Sequence, residues 1–135
     1  MKQFLNFYKR MYKSYGIDFK PTLVEVSHKK TRYNKSKLCY NNTFNYVCNN
    51  INAIYVLGWT CSLGFPIDHA FIKEDDKYFD ITLQTKEGDV YYSLVELTAA
   101  ELIAFTKKNR NCPLSYHDYL RITDKQRREN EVSAS

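Results

Sequence analysis

Three strand-like runs separated by short turns occupy the middle of the chain and constrain its fold more than any other feature. They cover residues 53–61, 69–73 and 77–82, and a fourth run follows at residues 90–97. The second and third runs are separated only by an acidic turn at residues 74–76, a spacing that predicts a tight β-hairpin. Strands joined by hairpins pair in an antiparallel manner, so we expect an antiparallel sheet at the centre of the protein.

Helical patterns lie before and after these strands. Apolar residues recur at helical spacing near the N-terminus and predict a first helix that ends near Gly16. Ser36 is a candidate N-cap for a second helix over residues 37–50. Thr98 opens a capping-box pattern for a third helix through about Lys108. The two predicted buried stripes comprise Phe4, Phe7, Tyr8, Met11 and Tyr15 in the first helix, and Leu38, Phe44, Val47 and Ile51 in the second.

The order of these elements favours an α+β protein over an alternating parallel one, because hairpin-linked strands follow the second helix. A length of 135 residues suits a single domain. A weakly strand-like segment at residues 22–26 precedes a basic loop. We expect one α+β domain over residues 1–122, made of an N-terminal helix and basic loop (1–36), a core (37–108) and a short C-terminal helix (115–122), followed by a flexible charged tail (123–135).

The composition excludes some classes of protein. Of the residues, 44% are hydrophobic and 16% are aromatic, which is incompatible with a mostly disordered chain. No uninterrupted apolar stretch has the length of a signal-peptide core or of a membrane-spanning helix. We therefore expect a cytoplasmic protein that does not bind membranes. Its four cysteines, which we expect to be reduced thiols rather than disulfides, are Cys39, Cys48, Cys61 and Cys112.

Cys39 is the residue most suited to nucleophilic chemistry. It follows the candidate N-cap by three positions and therefore lies in the first turn of the predicted second helix. Thiolate is the reactive form of cysteine, and the exposed backbone N–H groups of a helix N-terminus stabilise it. Lys35 and Lys37 add positive charge nearby. The alternative interpretation is a small buried apolar residue, which describes most single cysteines.

His69 and Asp80 favour the interpretation of Cys39 as a nucleophile. They lie on the two strands of the predicted hairpin, and a turn centred near Asp75 places them roughly opposite each other on one face. A carboxylate in that position holds the imidazole in one tautomer, while the other ring nitrogen accepts a proton from a thiol. The alternative is that His69 merely packs within a strand and Asp80 ends one.

Five short motifs follow one another in the predicted core. They are Cys39-Tyr40-Asn41-Asn42, Tyr55-Val56-Leu57-Gly58-Trp59, His69-Ala70-Phe71, Asp80-Ile81-Thr82 and Tyr91-Tyr92. In order and spacing they resemble a group of small bacterial and phage proteins that carry Cys-aromatic-x-Asn, Tyr-Val-x-Gly-aromatic, His-Ala-Trp and Asp-x-Thr motifs and a later tyrosine. The same order marks the transglutaminase-like branch of the papain-like thiol enzymes. The resemblance covers about residues 37–97.

This resemblance implies a papain-like or transglutaminase-like fold, in which a helix carrying the nucleophile packs against an antiparallel sheet. It also implies a Cys-His-Asp catalytic set, which corresponds here to Cys39, His69 and Asp80. Two positions depart from the pattern, because Phe71 stands where tryptophan is usual and Ile81 where proline is common. Neither change removes a group that transfers a proton.

Further candidate residues surround this set. Asn42 lies one helical turn beyond Cys39, and we expect its amide either to brace the active-site loop or to help stabilise an oxyanion, with a plain helix-to-loop hydrogen bond as the alternative. The backbone N–H of Cys39 is the more secure oxyanion donor. Gly58 is expected to allow a close backbone approach or a bulge. Four residues are candidate walls of the substrate pocket, namely Tyr40, Trp59, Phe71 and Tyr92. Core packing is the alternative role for Trp59 and Tyr92.

Basic charge is concentrated before the candidate nucleophile. Residues 1–38 hold ten Lys or Arg against two acidic residues, a net charge of +8, whereas residues 39–135 carry −3. We expect a basic rim beside the active site that favours an acidic substrate or partner, with solvated surface charge as the plainer alternative. The rim residues are Lys30, Arg32, Lys35 and Lys37.

The sequence thus predicts a cysteine-dependent acyl-transfer enzyme that acts through a thioester on a protein or peptide-like amide. Peptidase, amidase or deamidase, and transglutaminase-like transferase activities all fit this chemistry. The alternatives are a basic nucleic-acid-binding module, which is less favoured, and a papain-like fold that binds and inhibits a partner protein. No cofactor or metal is predicted, because the chain has neither a Walker-type loop nor a GxGxxG motif. No CxxC or clustered His spacing supports a zinc site on Cys48, Cys61, His69 and Asp80.

Overall fold

Four helices and six strands make up the part of the chain that the computed structural model describes, residues 2–61 and 65–134. The helices are α1 (Lys2–Ser14), α2 (Cys39–Asn49), α3 (Ala99–Asn109) and α4 (Tyr116–Ala134). The strands are β1 (Thr22–Val24), β2 (Val26–His28), β3 (Ile54–Cys61), β4 (Ile67–Glu74), β5 (Lys77–Asp80) and β6 (Val90–Leu97). Helices and a mainly antiparallel sheet together confirm the predicted α+β class.

The six strands form one sheet in the order β1-β6-β3-β4-β5-β2. Every neighbouring pair is antiparallel except β2 and β5, which run parallel. β1 and β2 lie at opposite edges of the sheet although only Glu25 separates them in the chain. The sheet therefore curls until one short segment, residues 22–28, forms both of its edges, with β1 hydrogen-bonded to β6 and β2 to β5. The weak strand predicted over residues 22–26 is thus two short strands that complete the curl.

The curl gives the sheet an inner and an outer face. Val56, Phe71 and Tyr91 are buried on the inner face, where Val24 and Val26 from the two edge strands pack against them. On the outer face, a main cluster lies beneath α2 and α3, and an aromatic cluster lies beneath α1. Buried members of the main cluster include Tyr55, Leu57, Ala70, Ile72 and Leu102. The aromatic cluster contains Tyr12, Phe19, Trp59 and Tyr116.

α2 begins at Cys39, two residues later than predicted. Lys37 adopts a left-handed backbone conformation with φ of 63°, which a continuous right-handed helix does not allow. Leu38 therefore takes the N-cap position instead of Ser36, and its side chain has no atom that could cap the helix. Leu38 and Ile51, which were expected to be buried, are exposed at 43% and 76%.

α1 ends where the sequence predicts. Gly16 has a left-handed φ of 75°, and the N–H of Ile17 returns to the carbonyl of Tyr12 at 2.9 Å, an arrangement typical of helix C-termini. The buried stripe of α1 differs from the prediction, because Tyr12 is buried whereas Phe4 and Phe7 are exposed. The helix therefore meets the sheet along a stripe rotated away from the predicted one.

The C-terminal helices include one confirmed prediction and one correction. Thr98 caps α3 through a complete capping box, as predicted. The short helix expected at residues 115–122 instead continues to Ala134, through the segment expected to form a flexible tail. Asp124 pairs there with the arginines three and four positions later, and Gln126 donates a hydrogen bond of 3.0 Å to a side chain of α3. No helix in the described part of the chain is both long and apolar enough to cross a membrane.

Candidate active site

His69 and Asp80 meet on the inner face of the β4–β5 hairpin, whose turn is one residue shorter than predicted. The register pairs Ile72 with Phe79, which puts Asp80 beside Phe71 and makes His69 its diagonal neighbour on the same face. Nε2 of His69 donates a hydrogen bond of 2.7 Å to Oδ2 of Asp80. The exposed fractions of the two side chains are 5% and 0%. The two residues therefore share one face and are in contact, as predicted, but they are diagonal neighbours rather than opposite each other.

Four hydrogen bonds hold the Asp80 carboxylate. Its Oδ1 accepts from the backbone N–H groups of Thr82 and Leu83, each at 2.9 Å. Its Oδ2 accepts from the hydroxyl of Tyr91 at 2.7 Å, in addition to the imidazole of His69. These donors fix the orientation of the carboxylate and stabilise its negative charge.

Tyr91 is the member of this cluster that the sequence analysis missed, because it selected Tyr92. The two tyrosines are adjacent on β6, so their side chains point to opposite faces of the sheet. Tyr92 packs with the outer aromatic cluster, whereas Tyr91 is buried on the inner face. The tyrosine pair was visible in the sequence. Which of the two tyrosines faces the inside of the sheet could be assigned only from the β3–β6 pairing, in which Tyr91 lies opposite Thr60.

Cys39 is the third member of the cluster and is half-buried at the first position of α2. Its thiol lies close enough to the imidazole of His69 to help raise the pKa of that ring. Because Nε2 of the ring is bonded to Asp80, Nδ1 is the nitrogen that remains for the thiol. The structure therefore brings the three predicted residues together in the order Cys39, His69, Asp80.

The contacts of His69 and Asp80 shift the pKa values of both. Burial lowers the pKa of His69, but the hydrogen bonds with Asp80 and Cys39 outweigh this effect and raise it to about 9. Burial would raise the pKa of the Asp80 carboxyl, but the hydrogen bond with His69 and the other donors hold it below its usual value. The pair therefore favours a charged imidazolium beside a charged carboxylate near neutral pH.

The start of α2 leaves backbone N–H groups beside the thiol. The first backbone hydrogen bond of the helix runs from the N–H of Asn42 to the carbonyl of Leu38 at 2.9 Å. The N–H groups of residues 39–41 therefore have no partner within the helix. The N-cap residue, Leu38, makes no side-chain hydrogen bond to this end of α2. A negative charge that develops next to Cys39 would face these donors and the positive end of the helix dipole.

Asn42 joins the two loops that carry the ends of the cluster. Its Nδ2 donates to the carbonyl of Lys35 at 2.9 Å and to Oγ1 of Thr82 at 3.0 Å, and its Oδ1 accepts from the N–H of Lys35 at 3.2 Å. The amide thus ties the segment before Cys39 to the segment after Asp80. Both amide hydrogens are used in these contacts, so the observed contacts correspond to the brace rather than to the oxyanion donor.

Gly58 lies opposite His69 on the neighbouring strand β3. A Cβ atom at Gly58 would lie 2.0 Å from the backbone oxygen of Tyr92 and 2.9 Å from a ring carbon of Phe71. The pairing of β3 with β6 shifts its register immediately before Gly58. The predicted close backbone approach and bulge are therefore confirmed, and they allow β6 to bring Tyr91 toward Asp80.

The residues predicted to line a substrate pocket mostly belong to the core. Phe71 is fully buried. Trp59 is buried on the outer face, with its ring centroid 4.8 Å from that of Tyr8, and Tyr92 joins the same cluster. Tyr40 is half-buried against the main outer cluster. Core packing, the alternative considered for Trp59 and Tyr92, describes these positions, so other residues must line the entrance to the site.

The four residues of the predicted basic rim are exposed and lie on the loop between β2 and α2. They are Lys30, Arg32, Lys35 and Lys37. The guanidinium of Arg32 donates a hydrogen bond of 2.6 Å to the hydroxyl of Tyr33. Lys35 is the rim residue whose backbone is tied to Asn42. The loop is thus attached to the site, and the charge of the rim is directed to solvent.

A metal site and a ligand-binding groove are the other two kinds of site to compare with this cluster. Within residues 2–61 and 65–134, no three His, Cys, Asp or Glu side chains are placed to hold a metal ion. A surface groove of about 530 Å³ between the end of α1 and α4 contains none of the three residues.

No family model, curated protein or solved structure matches this chain. The functional argument therefore depends on the side-chain contacts themselves. Those contacts are the thiol–imidazole–carboxylate series of Cys39, His69 and Asp80, together with the N–H groups at the start of α2 that have no partner within the helix.

Proposed function

We propose that this protein is a cysteine-dependent acyl-transfer enzyme. The observation that carries the proposal is the position of His69, a buried imidazole that is hydrogen-bonded to the Asp80 carboxylate and interacts with the Cys39 thiol. A thiol, a base and an oriented carboxylate in this order form the arrangement that activates a nucleophile. A structural histidine–aspartate pair would need no thiol at a helix N-terminus.

The chemistry follows from the contacts. In the reactive state, the proton of Cys39 is held by His69 as an imidazolium, and the paired thiolate attacks the carbonyl carbon of an amide or ester. The N–H groups of residues 39–41 stabilise the oxyanion of the tetrahedral intermediate. His69 then gives its proton to the leaving amine or alcohol, and a thioester on Cys39 remains. Water or an amine attacks the thioester, with His69 again accepting a proton, and the product is released.

The finer fold assignment belongs to the same proposal. We assign the chain to a papain-like, transglutaminase-like architecture, in which α2 carries the nucleophile and packs on the sheet. In support, the hydroxyl of Thr43 on α2 donates to the carbonyl of Ala70 on β4 at 3.3 Å. Hydrolases and amine-accepting transferases share this scaffold and its first step, and differ in the acceptor of the acyl group.

Selective alkylation tests the proposal. Iodoacetamide at neutral pH, with modification mapped by mass spectrometry, is expected to react with Cys39 at least ~100-fold faster than with Cys48. Cys48 is the matched control, because it lies on the same helix, is half-buried and has a pKa raised by burial. His69→Ala is expected to slow the reaction at Cys39 without affecting Cys48. Equal, slow labelling of the two cysteines would contradict the proposal.

Formation of an acyl-enzyme separates an enzyme from an inhibitory fold. A simple activated ester, p-nitrophenyl acetate, should add one acetyl group to the wild-type chain and none to Cys39→Ala, as seen by intact-mass measurement. Hydroxylamine should remove the group, as it does from thioesters. A chain with a reactive Cys39 that never accepts the acetyl group would favour a binding role over acyl transfer.

The basic rim is proposed to favour acidic substrates, and its charge can be read with two small probes. Iodoacetate is anionic and iodoacetamide is neutral, so the ratio of their rate constants at Cys39 reports the local electrostatic potential. At low salt, we expect iodoacetate to be favoured relative to its reaction with glutathione. Changing the four rim residues to glutamate should reverse the preference. A ratio that does not respond to this change would refute the proposed role of the rim.

A further inference from the structure

Three exposed aliphatic residues each lie within three positions of a residue of the candidate triad in the sequence. Leu38 directly precedes the nucleophile, and Ile67 lies two positions before the triad histidine on β4. Leu83 donates its backbone N–H to the Asp80 carboxylate at 2.9 Å. The exposed fractions of Leu38, Ile67 and Leu83 are 43%, 41% and 42%.

β4 shows how exposure changes toward solvent. Phe71, His69 and Ile67 are alternate residues of the strand and therefore lie on the same face. Their exposed fractions are 0%, 4% and 41%. The inner face of the curled sheet is thus exposed to solvent at Ile67, two residues from His69 along β4.

Leu38 and Leu83 come from two loops that are joined by one amide. Nδ2 of Asn42 donates to the carbonyl of Lys35 and to Oγ1 of Thr82. The N–H of Leu38 bonds to the same Lys35 carbonyl at 3.3 Å, and Leu83 directly follows Thr82. None of the three aliphatic residues contributes to the hydrophobic clusters found in the described part of the chain.

Apolar side chains around a reactive group are suited to bind an apolar part of a ligand. We infer that Leu38, Ile67 and Leu83, here called the apolar entrance, bind an aliphatic side chain next to the scissile carbonyl of the acyl donor. The inference rests on the proposed function, since it takes Cys39 as the nucleophile. It names the substrate class as amides or esters of acyl groups with an aliphatic side chain, and it replaces the pocket of aromatic walls predicted from the sequence.

A pair of alkylating probes tests the apolar entrance. Iodoacetamide and N-hexyl iodoacetamide carry the same reactive group, and the second adds an aliphatic chain. The readout is the ratio of their second-order rate constants at Cys39, divided by the same ratio for glutathione, which removes differences in the intrinsic reactivity of the thiol. We expect a normalised ratio of about ten in the full chain, because several methylene groups leave water on binding.

Substitutions then assign the effect to the three residues. Leu38→Ser, Ile67→Ser and Leu83→Ser are each expected to lower the normalised ratio about twofold, and the triple variant should bring it close to one. Ile51→Ser is the matched control, because Ile51 is an exposed aliphatic residue just beyond the other end of α2. Its normalised ratio should equal that of the wild type.

Two failures can be distinguished. A normalised ratio near one in the wild-type chain, or a high ratio that the three substitutions leave unchanged, overturns the apolar entrance. Slow and equal iodoacetamide rates at Cys39 and Cys48 contradict the proposed function instead. The ratio can still be measured at an unactivated thiol, so it decides the apolar entrance in that case as well.

Discussion

Two carboxylate-centred clusters lie on the β4–β5 hairpin, and their comparison separates a structural pair from a candidate site. In each cluster, a carboxylate accepts hydrogen bonds from one tyrosine hydroxyl and from one basic side chain. The first comprises Glu74, Lys29 and Tyr46, and the second comprises Asp80, His69 and Tyr91. The arrangement of donors is thus nearly the same at the two ends of the hairpin.

The clusters differ in burial and in the chemistry of the base. The Lys29 and Glu74 side chains are exposed at 36% and 17%, whereas those of His69 and Asp80 are exposed at 5% and 0%. Both bases hold a proton at neutral pH, because the hydrogen bonds with their carboxylate partners help raise the pKa of Lys29 above its usual value and that of His69 to about 9. His69 contacts a thiol as well as a carboxylate. The comparison teaches that the hydrogen-bond pattern stabilises either cluster, and that an imidazole with a nucleophile is what makes one of them suitable for proton transfer.

Removal of the buried carboxylate should have the largest effect. Asp80→Ala is expected to lower the free energy of unfolding by about 3–5 kcal/mol, because His69 and two backbone N–H groups lose a charged partner in the interior. It should also abolish the rapid alkylation of Cys39. Urea unfolding and the iodoacetamide rate measure the two effects. Glu87→Ala, on an exposed loop, is the control and should change neither quantity. Unchanged stability in Asp80→Ala would remove the distinction between the clusters.

The pH dependence of stability should be the next largest effect. The pKa of His69 is about 9 in the folded protein, against about 6.5 for an unfolded histidine. The imidazolium contacts therefore contribute about 3 kcal/mol below pH 6.5, and this contribution is lost as the pH rises through 9.

The midpoint of urea unfolding between pH 6 and pH 9.5 measures this loss. His69→Gln should flatten the profile over that window, since glutamine does not titrate. A wild-type profile that rises across the window would contradict the assigned direction of the His69 shift. Because Lys29 keeps its proton over the same range, Lys29→Gln should retain the wild-type slope.

The sequence allowed the prediction of contacts that are set by short spacing. The tight turn at Asp75 and Asp76, one residue shorter than predicted, determines that His69 and Asp80 share one face, and the capping box at Thr98 fixes the start of α3. Contacts that depend on the curl of the sheet were out of reach. Tyr91 could be separated from Tyr92 only by the β3–β6 register, which shifts at Gly58.

Most of the residues predicted to line the substrate pocket pack in the core instead, for a related physical reason. Aromatic residues near a motif can cover a ligand or fill a core, and single-sequence patterns do not separate the two. Trp59 and Phe71 fill the two opposite sides of the curled sheet. The residues that are exposed near the site are aliphatic, and one of them, Leu38, was predicted to be buried because α2 was expected to begin earlier.

A matched pair of tyrosine variants should give an intermediate effect. Tyr91→Phe and Tyr46→Phe each remove one hydroxyl that donates to a carboxylate. We expect Tyr91→Phe to cost about 2 kcal/mol in unfolding free energy, because hydrogen bonds to buried charged groups are the strong ones. It should also slow Cys39 alkylation several-fold. Tyr46→Phe should leave the alkylation rate unchanged. If both variants slowed alkylation equally, the two clusters would be coupled rather than separate.

Neutralising the exposed carboxylate should have the smallest effect. Glu74→Gln keeps a group of similar size that can still accept a hydrogen bond from Lys29 or Tyr46, while the charge of the ion pair is lost. Because Lys29 is more than a third exposed, we expect a change of only about 0.5–1 kcal/mol in unfolding free energy, reduced further at high salt. Urea unfolding at low and high salt measures the change, and the alkylation rate of Cys39 should not respond. A loss as large as that of Asp80→Ala, or a slower Cys39, would show that Glu74 acts on the site and that burial alone does not distinguish the two clusters.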